Sequence, residues 1–259
     1  MTEDLTKIRR YELKYTITES VAGEIRDYIR NICVLDKHAA TGKNHYIVNN
    51  LYFDTNDLRF YYDTKFHKLT RFKARARYYG LKSDKDIWPE IKYKHANVIW
   101  KVRKKISTRE WADQFSPQIF GYLLNDVRPR VNTFEEVVYW FDARPISHVR
   151  YIREPYVSVQ DNYGRITFDR ELCYRKIDGS LNLDYDERDM LYYDDPMTTH
   201  NPQSLVLLEI KTETLVPYWV IQMIKMFGLV QRPFSKYCYS IDNMLERNAP
   251  VRYSVFNLT

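Results

Sequence analysis

Three short stretches of the sequence set a glutamate two residues ahead of a lysine: Glu12 and Lys14 in "YELKY", Glu90 and Lys92 in "PEIKYK", Glu209 and Lys211 in "LEIKT". In an extended strand alternate side chains share a face, so each stretch would present an acid and a base together, with apolar neighbours behind them. Cations obey the same parity elsewhere. Arg71, Lys73, Arg75 and Arg77 alternate with Phe72, Ala74, Ala76 and Tyr78. Lys101 shares a face with Arg103 and Lys105, Tyr151 with Arg153, and Arg165 with Thr167 and Asp169. Taken singly, each strand reads as the wet face of an antiparallel sheet. Taken together, the face is too rich in long cations for an ordinary surface, because like charges on neighbouring strands repel unless an anion sits among them. Guanidinium forks and ammonium point charges suit phosphate oxygens. Glutamates in such a wall would repel phosphate unless they pair with lysines or hold Mg2+ or Mn2+ against it. Closing the strands into a barrel would make a basic tunnel; parity alone fits an open basic sheet equally well.

The elements that must carry these residues follow from periodicity. "TESVAGEIRDYIRNICVL" has Val21, Ile25, Tyr28, Ile29 and Ile32 at helical spacing, with Thr18 or Ser20 as cap. Residues 45–55 and 69–80 read as strands, 87–107 as two or three strands, and "NDLRFYYDTKF" as a short helix or irregular segment. Helical periodicity marks 108–142. "HVRYIREPYVSVQD" and "GRITFDRELCYRK" form a predicted hairpin around "DNYG". An acidic, turn-rich loop covers 184–195, and "SLVLLEIKT" is the most apolar strand. Two helices close the sequence, "PYWVIQMIKMFGL" between Pro217 and Gly228, and "SKYCYSIDNMLERN".

No repeat or linker divides the 259 residues, so 1–259 reads as one α+β domain dominated by antiparallel strands. Seven glycines against 23 tyrosines argue against a glycine-rich nucleotide fold, and the net charge of +6 favours an anionic partner. Cys33, Cys173 and Cys238 form no CxxC pair, so neither a disulfide framework nor a zinc site is expected. The six histidines show no metal-ligand spacing; His95, beside the Lys92 and Lys94 strand, is the one worth testing. No P-loop, GxGxxG or GxSxG motif occurs. With neither a signal core nor a membrane-length apolar run, a cytoplasmic location is expected.

The ordered set of Glu-x-Lys, "LYFDT", "RARYYG", "EIKYK", "GRITFDREL", "LLEIKT" and "FSKYCYS" resembles the VTC polyphosphate polymerase domain, a branch of the CYTH or triphosphate tunnel metalloenzyme superfamily. The resemblance spans nearly the whole chain. It implies an antiparallel β-barrel (a triphosphate tunnel) with flanking helices, using Mn2+ or Mg2+ to move the γ-phosphate of ATP onto inorganic polyphosphate. Catalytic roles would fall to Lys14, Arg75, Arg77, Lys92, Arg153, Arg165 and Lys236. Substrate binding would fall to Glu12, Lys101, Arg103, Tyr151, Ser235 and Lys211, and metal binding to Glu209 and Glu90. Arg10 stands where the wider superfamily keeps a glutamate, which points away from hydrolysis. Neither the phosphate-sensing domain nor the membrane helices of the eukaryotic subunits is seen, so coupling to translocation is not expected.

Two other functions remain open. With water as acceptor the same residues would make a tripolyphosphatase or nucleoside triphosphatase. A non-catalytic binder of polyphosphate or single-stranded nucleic acid is the other. Against nucleic acid, cations and aromatics in "RFKARARYY" fall on opposite faces, whereas a stacking groove needs them on one.

Overall fold

The computed structural model describes residues 11–248 apart from 41, 82–85, 97, 114, 116–132, 162–163, 194–204 and 214. Arg10 and His200 lie outside the described residues, as do parts of three predicted segments: 114 and 116–132 of the helical stretch 108–142, 162–163 of the "DNYG" turn, and 194–195 at the end of the acidic loop. Among the described residues ten strands make one antiparallel sheet: β1 (Tyr11–Ile17), β2 (Cys33–Leu35), β3 (Tyr46–Asp54), β4 (Thr70–Tyr79), β5 (Trp88–His95), β6 (Val98–Arg103), β7 (Arg144–Ser158), β8 (Gly164–Lys176), β9 (Leu191–Tyr192) and β10 (Val206–Thr212). The order is β1-β10-β8-β7-β3-β4-β5-β6, with β2 added to β7 and β9 to β8. Register shifts near Tyr52/Phe53 and Arg150/Ile152 bend the long central strands.

The sheet curls into a half-barrel. Its terminal strands carry no ladder between them, but Lys92 of β5 reaches Glu12 of β1 across the concavity at 3.1 Å. This is the antiparallel, helix-flanked α+β architecture expected from the sequence, with the charged parity turned inward. The outward parity packs under helices. Tyr15, Ile17, Ile166, Phe168, Leu208 and Ile210 meet α1 (Glu19–Ile29), and Trp219, Val220 and Met223 of α6 (Tyr218–Met226) complete that cluster. Leu51, Phe72, Ala74, Ala76 and Ile91 meet α4 (Thr108–Asp113) and α5 (Phe134–Trp140). The remaining helices among the described residues are α2 (Lys37–Ala40), α3 (Arg59–Lys65) and α7 (Lys236–Asn248).

Local chemistry sets the element ends. Thr18 caps α1 by accepting from Val21 N at 3.3 Å, and Thr133 with Glu136 forms a capping box on α5. The predicted first helix is cut short: α1 stops at Ile29, and Cys33–Leu35 becomes a strand on the part of β7 beyond the reach of β3. The β-branched Ile32 and Val34 favour that outcome. At the β7–β8 hairpin a Cβ on Gly164 would lie 2.8 Å from Ser158 Cβ, so only glycine fits.

Helix α7 departs from the ordinary pattern. Tyr237, Cys238, Ile241 and Met244 pack with Val48, Tyr52, Val149 and Tyr151, which have inward parity. The helix therefore lies against the concave face, and its first residue, Lys236, enters the charged interior. Asp54 helps fix it there. Its carboxylate accepts from the backbone of Phe60 and Tyr61 at the start of α3, both at 2.8 Å, and from the Tyr237 hydroxyl at 2.5 Å.

Candidate phosphate-binding site

Strand register brings the charged side chains into continuous rows. Lys14 lies opposite Glu209, and Glu209 opposite Thr167; Lys211 lies between Glu12 and Arg165. Asp169 faces Arg153 on β7. On the other wall Arg75 sits between Tyr52 and Glu90, Glu90 faces Arg103, and Lys73, Lys92 and Lys101 form a row.

The deepest part of the site is a closed ionic network. Glu209, with a side chain only 6% exposed, receives Lys236 Nζ at 3.2 Å and Lys14 Nζ at 3.5 Å on Oε1. Arg153 and Lys211 approach Oε2 at 3.4 and 3.7 Å. Asp169, fully buried, takes both arms of the Arg153 fork at 2.7 Å and Lys236 Nζ at 2.7 Å. Burial alone would push Glu209 and Asp169 toward the neutral acid, but the surrounding cations outweigh it and hold both below their ordinary range. Lys236 and Arg153 also lie over the Tyr151 ring at 4.5 and 5.2 Å. Burial would raise the Tyr151 phenol; Arg153, Arg77 and Lys236 bring it down instead.

A second centre forms around Glu90, which is 2% exposed and joined by Arg75 and Lys101, with Arg77 at 3.8 Å. Arg75 also donates to the Tyr52 hydroxyl at 3.1 Å, and Arg77 to Asn50 Oδ1 at 3.0 Å. Burial opposes the charge on Glu90, yet Arg75, Arg77 and Lys101 keep its carboxyl depressed. Lys101 itself is pushed down to about 7, by burial and by the neighbouring guanidinium groups.

Glu12 joins the two centres, accepting from Lys14 at 3.0 Å and Lys92 at 3.1 Å. Lys14 donates further to the Phe234 carbonyl at 3.0 Å, and Lys73 donates to Ser235 Oγ at 2.7 Å. The turn before α7 thus closes one side of the concavity. Cations on this face outnumber Glu12, Glu90, Asp169 and Glu209, so the site as a whole attracts anions.

The model of the VTC domain matches residues 9–245. The chain belongs to the VTC family. Its motif resemblance, and the relation to polyphosphate polymerases at the level of family, are thereby borne out. A comparison with curated proteins finds no match. The solved structure of PH1819 protein from Pyrococcus horikoshii OT3 is similar over 92% of this chain and 99% of its own, at 12% identity and a TM-score of 0.44.

In this VTC chain the structure gathers Glu12, Lys14, Arg75, Arg77, Glu90, Lys92, Lys101, Tyr151, Arg153, Glu209, Lys211, Ser235 and Lys236 in or around one concavity. Arg165 and Arg103 share its face but are exposed; Arg103 lies over the Trp88 ring at 4.9 Å. His95 is exposed and bonded to Thr70 at 2.7 Å. Two residues were visible by parity yet assigned no role from sequence. Asp169 shares the face of Arg165 within "GRITFDREL", and Lys73 that of Arg75 just ahead of "RARYYG". Among the described residues no three acids, histidines or cysteines form a metal cage. One feature beside Glu209 nevertheless fits a divalent ion: the buried Thr167 hydroxyl, its register neighbour, has no hydrogen-bond partner among the described residues. A hard ion bound by one or two carboxylates and by phosphate oxygens needs no all-protein cage. Glu209, with Asp169 and Thr167 close by, is a donor set of that type. Glu90 is enclosed by three cations, Arg75, Arg77 and Lys101.

Proposed function

We propose that this VTC chain is a polyphosphate polymerase, transferring the γ-phosphate of ATP to the end of an inorganic polyphosphate chain. The observation that supports it is the buried Glu209 ringed by Lys14, Arg153, Lys211 and Lys236 inside a cation-rich concavity. Carboxylates keep the cations oriented before substrate arrives, and phosphate oxygens then exchange for carboxylate oxygens around them. Lys14, Arg153 and Lys236 would hold one phosphoryl group; Arg75, Arg77, Lys92 and Lys101 would hold its neighbours. An oxygen of the terminal acceptor phosphate attacks the γ-phosphorus, the bond to the β-γ bridging oxygen breaks, and ADP leaves with that electron pair. No protein nucleophile is required, because phosphoryl transfer is accelerated chiefly by positioning and charge stabilisation. Mn2+ or Mg2+ on Glu209, with Asp169 and Thr167 adjacent, would supply neutralisation of phosphate charge. α7 packs on part of the concave face, and Tyr52 and Tyr151 wall the deep network.

This reading names ATP and polyphosphate as partners and the cytoplasm as the setting. No described helix is long and apolar enough to cross a membrane. Incubation with ATP and Mn2+, with products resolved on a gel, tests it. A ladder of long chains is expected. Orthophosphate alone would make the chain a triphosphatase, and tight binding without turnover would make it a polyphosphate sensor.

A further inference from the structure

Lys73 differs from the inward lysines of the Glu209, Glu90 and Glu12 clusters. Its ammonium donates to Ser235 Oγ at 2.7 Å, but no described carboxylate pairs with it. The charged groups that act on it most strongly are Lys14 of β1, Lys92 of β5 and Arg75 of its own strand, with Cys238 of α7 a further titratable neighbour. By contrast, Lys14 and Lys92 share Glu12, Arg75 and Lys101 share Glu90, and Lys236 has Asp169 and Glu209. Burial and the three cations push Lys73 down to about 8. Ser235 is itself fixed: its Oγ accepts from Cys238 N at 3.2 Å and its carbonyl from Tyr239 N at 2.9 Å. The Lys73–Ser235 pair therefore sits at the positive end of α7, a 13-residue helix.

A cation surrounded by cations destabilises the ligand-free protein, and an anion that enters relieves the repulsion. We propose that Lys73, held by Ser235, is a further substrate-binding residue, forming with Lys14, Lys92 and Arg75 the subsite for one phosphoryl group of a linear inorganic phosphate chain. This subsite rests on the polyphosphate reading and specifies which wall of the concavity grips the chain. It lies between the Glu209 and Glu90 centres, so a chain held there would touch both.

Tripolyphosphate is the probe, with wild type, Lys73→Met and Lys73→Arg compared by calorimetric titration at pH 8.5 in buffers of different ionisation enthalpy. Loss of one charge-assisted contact predicts ~10–100-fold weaker binding for the Met variant, with most affinity restored by Arg. Binding by wild type takes up a proton at this pH, because the incoming anion raises Lys73; the Met variant takes up less. Without ligand the Met variant melts no lower than wild type, since a repulsive charge has gone. Wild-type affinity and wild-type proton uptake in Lys73→Met would overturn the subsite while leaving the polyphosphate reading intact. A Met variant that melts well below wild type and loses affinity, unrescued by Arg, would overturn it in favour of a structural role. Failure of wild type to bind tripolyphosphate at all would bring down the parent reading too, a result distinct from the other two.

Discussion

At Glu209 one carboxylate serves four cations, while a neighbouring acid, Asp169, already occupies the Arg153 fork. Replacing Glu209 by Gln would therefore separate binding from catalysis. Tripolyphosphate affinity measured without metal should hold or tighten, because the substitution removes a negative charge that competes with the ligand. Turnover of ATP with Mn2+ should fall by ~100-fold or more, the scale of losing one strong electrostatic contributor to a transition state. Equal turnover in the two proteins would remove Glu209 from the chemistry. Parity in the sequence was enough to assemble Glu12, Lys14, Glu209 and Lys211 on one face, since strand alternation is a local rule. It could not reveal that Arg153 is bound by Asp169 or that Lys73 has no acid, because both depend on which strands become neighbours.

Among the elements, α7 decides the shape of the site. Its place against the inner wall rests on Tyr237, which stacks on Tyr52 at 4.9 Å and donates to Asp54, and on Asp242, which accepts from Tyr61 at 2.5 Å and Lys65 at 2.8 Å. Tyr237→Phe keeps the ring stack and removes the hydrogen bond to a buried acid, so a loss of about 1.5–3 kcal/mol in denaturant unfolding is expected. Because Lys236 is the adjacent residue, the same variant should weaken tripolyphosphate binding although Tyr237 itself is turned toward Asp54. Unchanged stability and binding would mean that α7 is held by its apolar side alone. Helical periodicity in "SKYCYSIDNMLERN" was legible; its docking inside the curl was not, since the apolar stripe is the same for either side of a sheet. The shortened α1 has a related cause. Continuing the helix and pairing with β7 compete for Cys33–Leu35, and the sequence holds only the first of these in plain view.

For the whole molecule, the excess of inward cations makes stability depend on pH in two windows. Glu12, Glu90 and Glu209 are held below their ordinary value of 4.5, so their pairs stabilise the fold above that value and are lost as pH falls through the depressed ones. On the alkaline side the slope has the same sign, but there it is a repulsive charge that is shed. Lys73 and Lys101 are lowered from 10.5 to about 8 and about 7, so in that interval the unfolded chain binds more protons than the folded one. Stability of the ligand-free protein should consequently rise with pH across it, and saturating tripolyphosphate should flatten the slope. Melting curves between neutral and mildly alkaline pH check this; a ligand-free profile that is flat or falls would show that the two lysines remain charged in the folded protein.

The pairing of β1 with β10 has a consequence for how this protein comes into being. Lys14 and Glu209 stand side by side in the sheet yet come from opposite ends of the sequence, and Lys236 arrives later still. Loop closure on that scale is slow, and nothing short of it unites these residues. During synthesis β3 to β6 can pair with their neighbours as they emerge, whereas β1 waits for β10, so the Lys14–Glu209 side of the concavity is completed in a late closing event. A polyanion that binds only the assembled concavity would favour the closed form, so under the proposed function the substrate would assist the final step of folding.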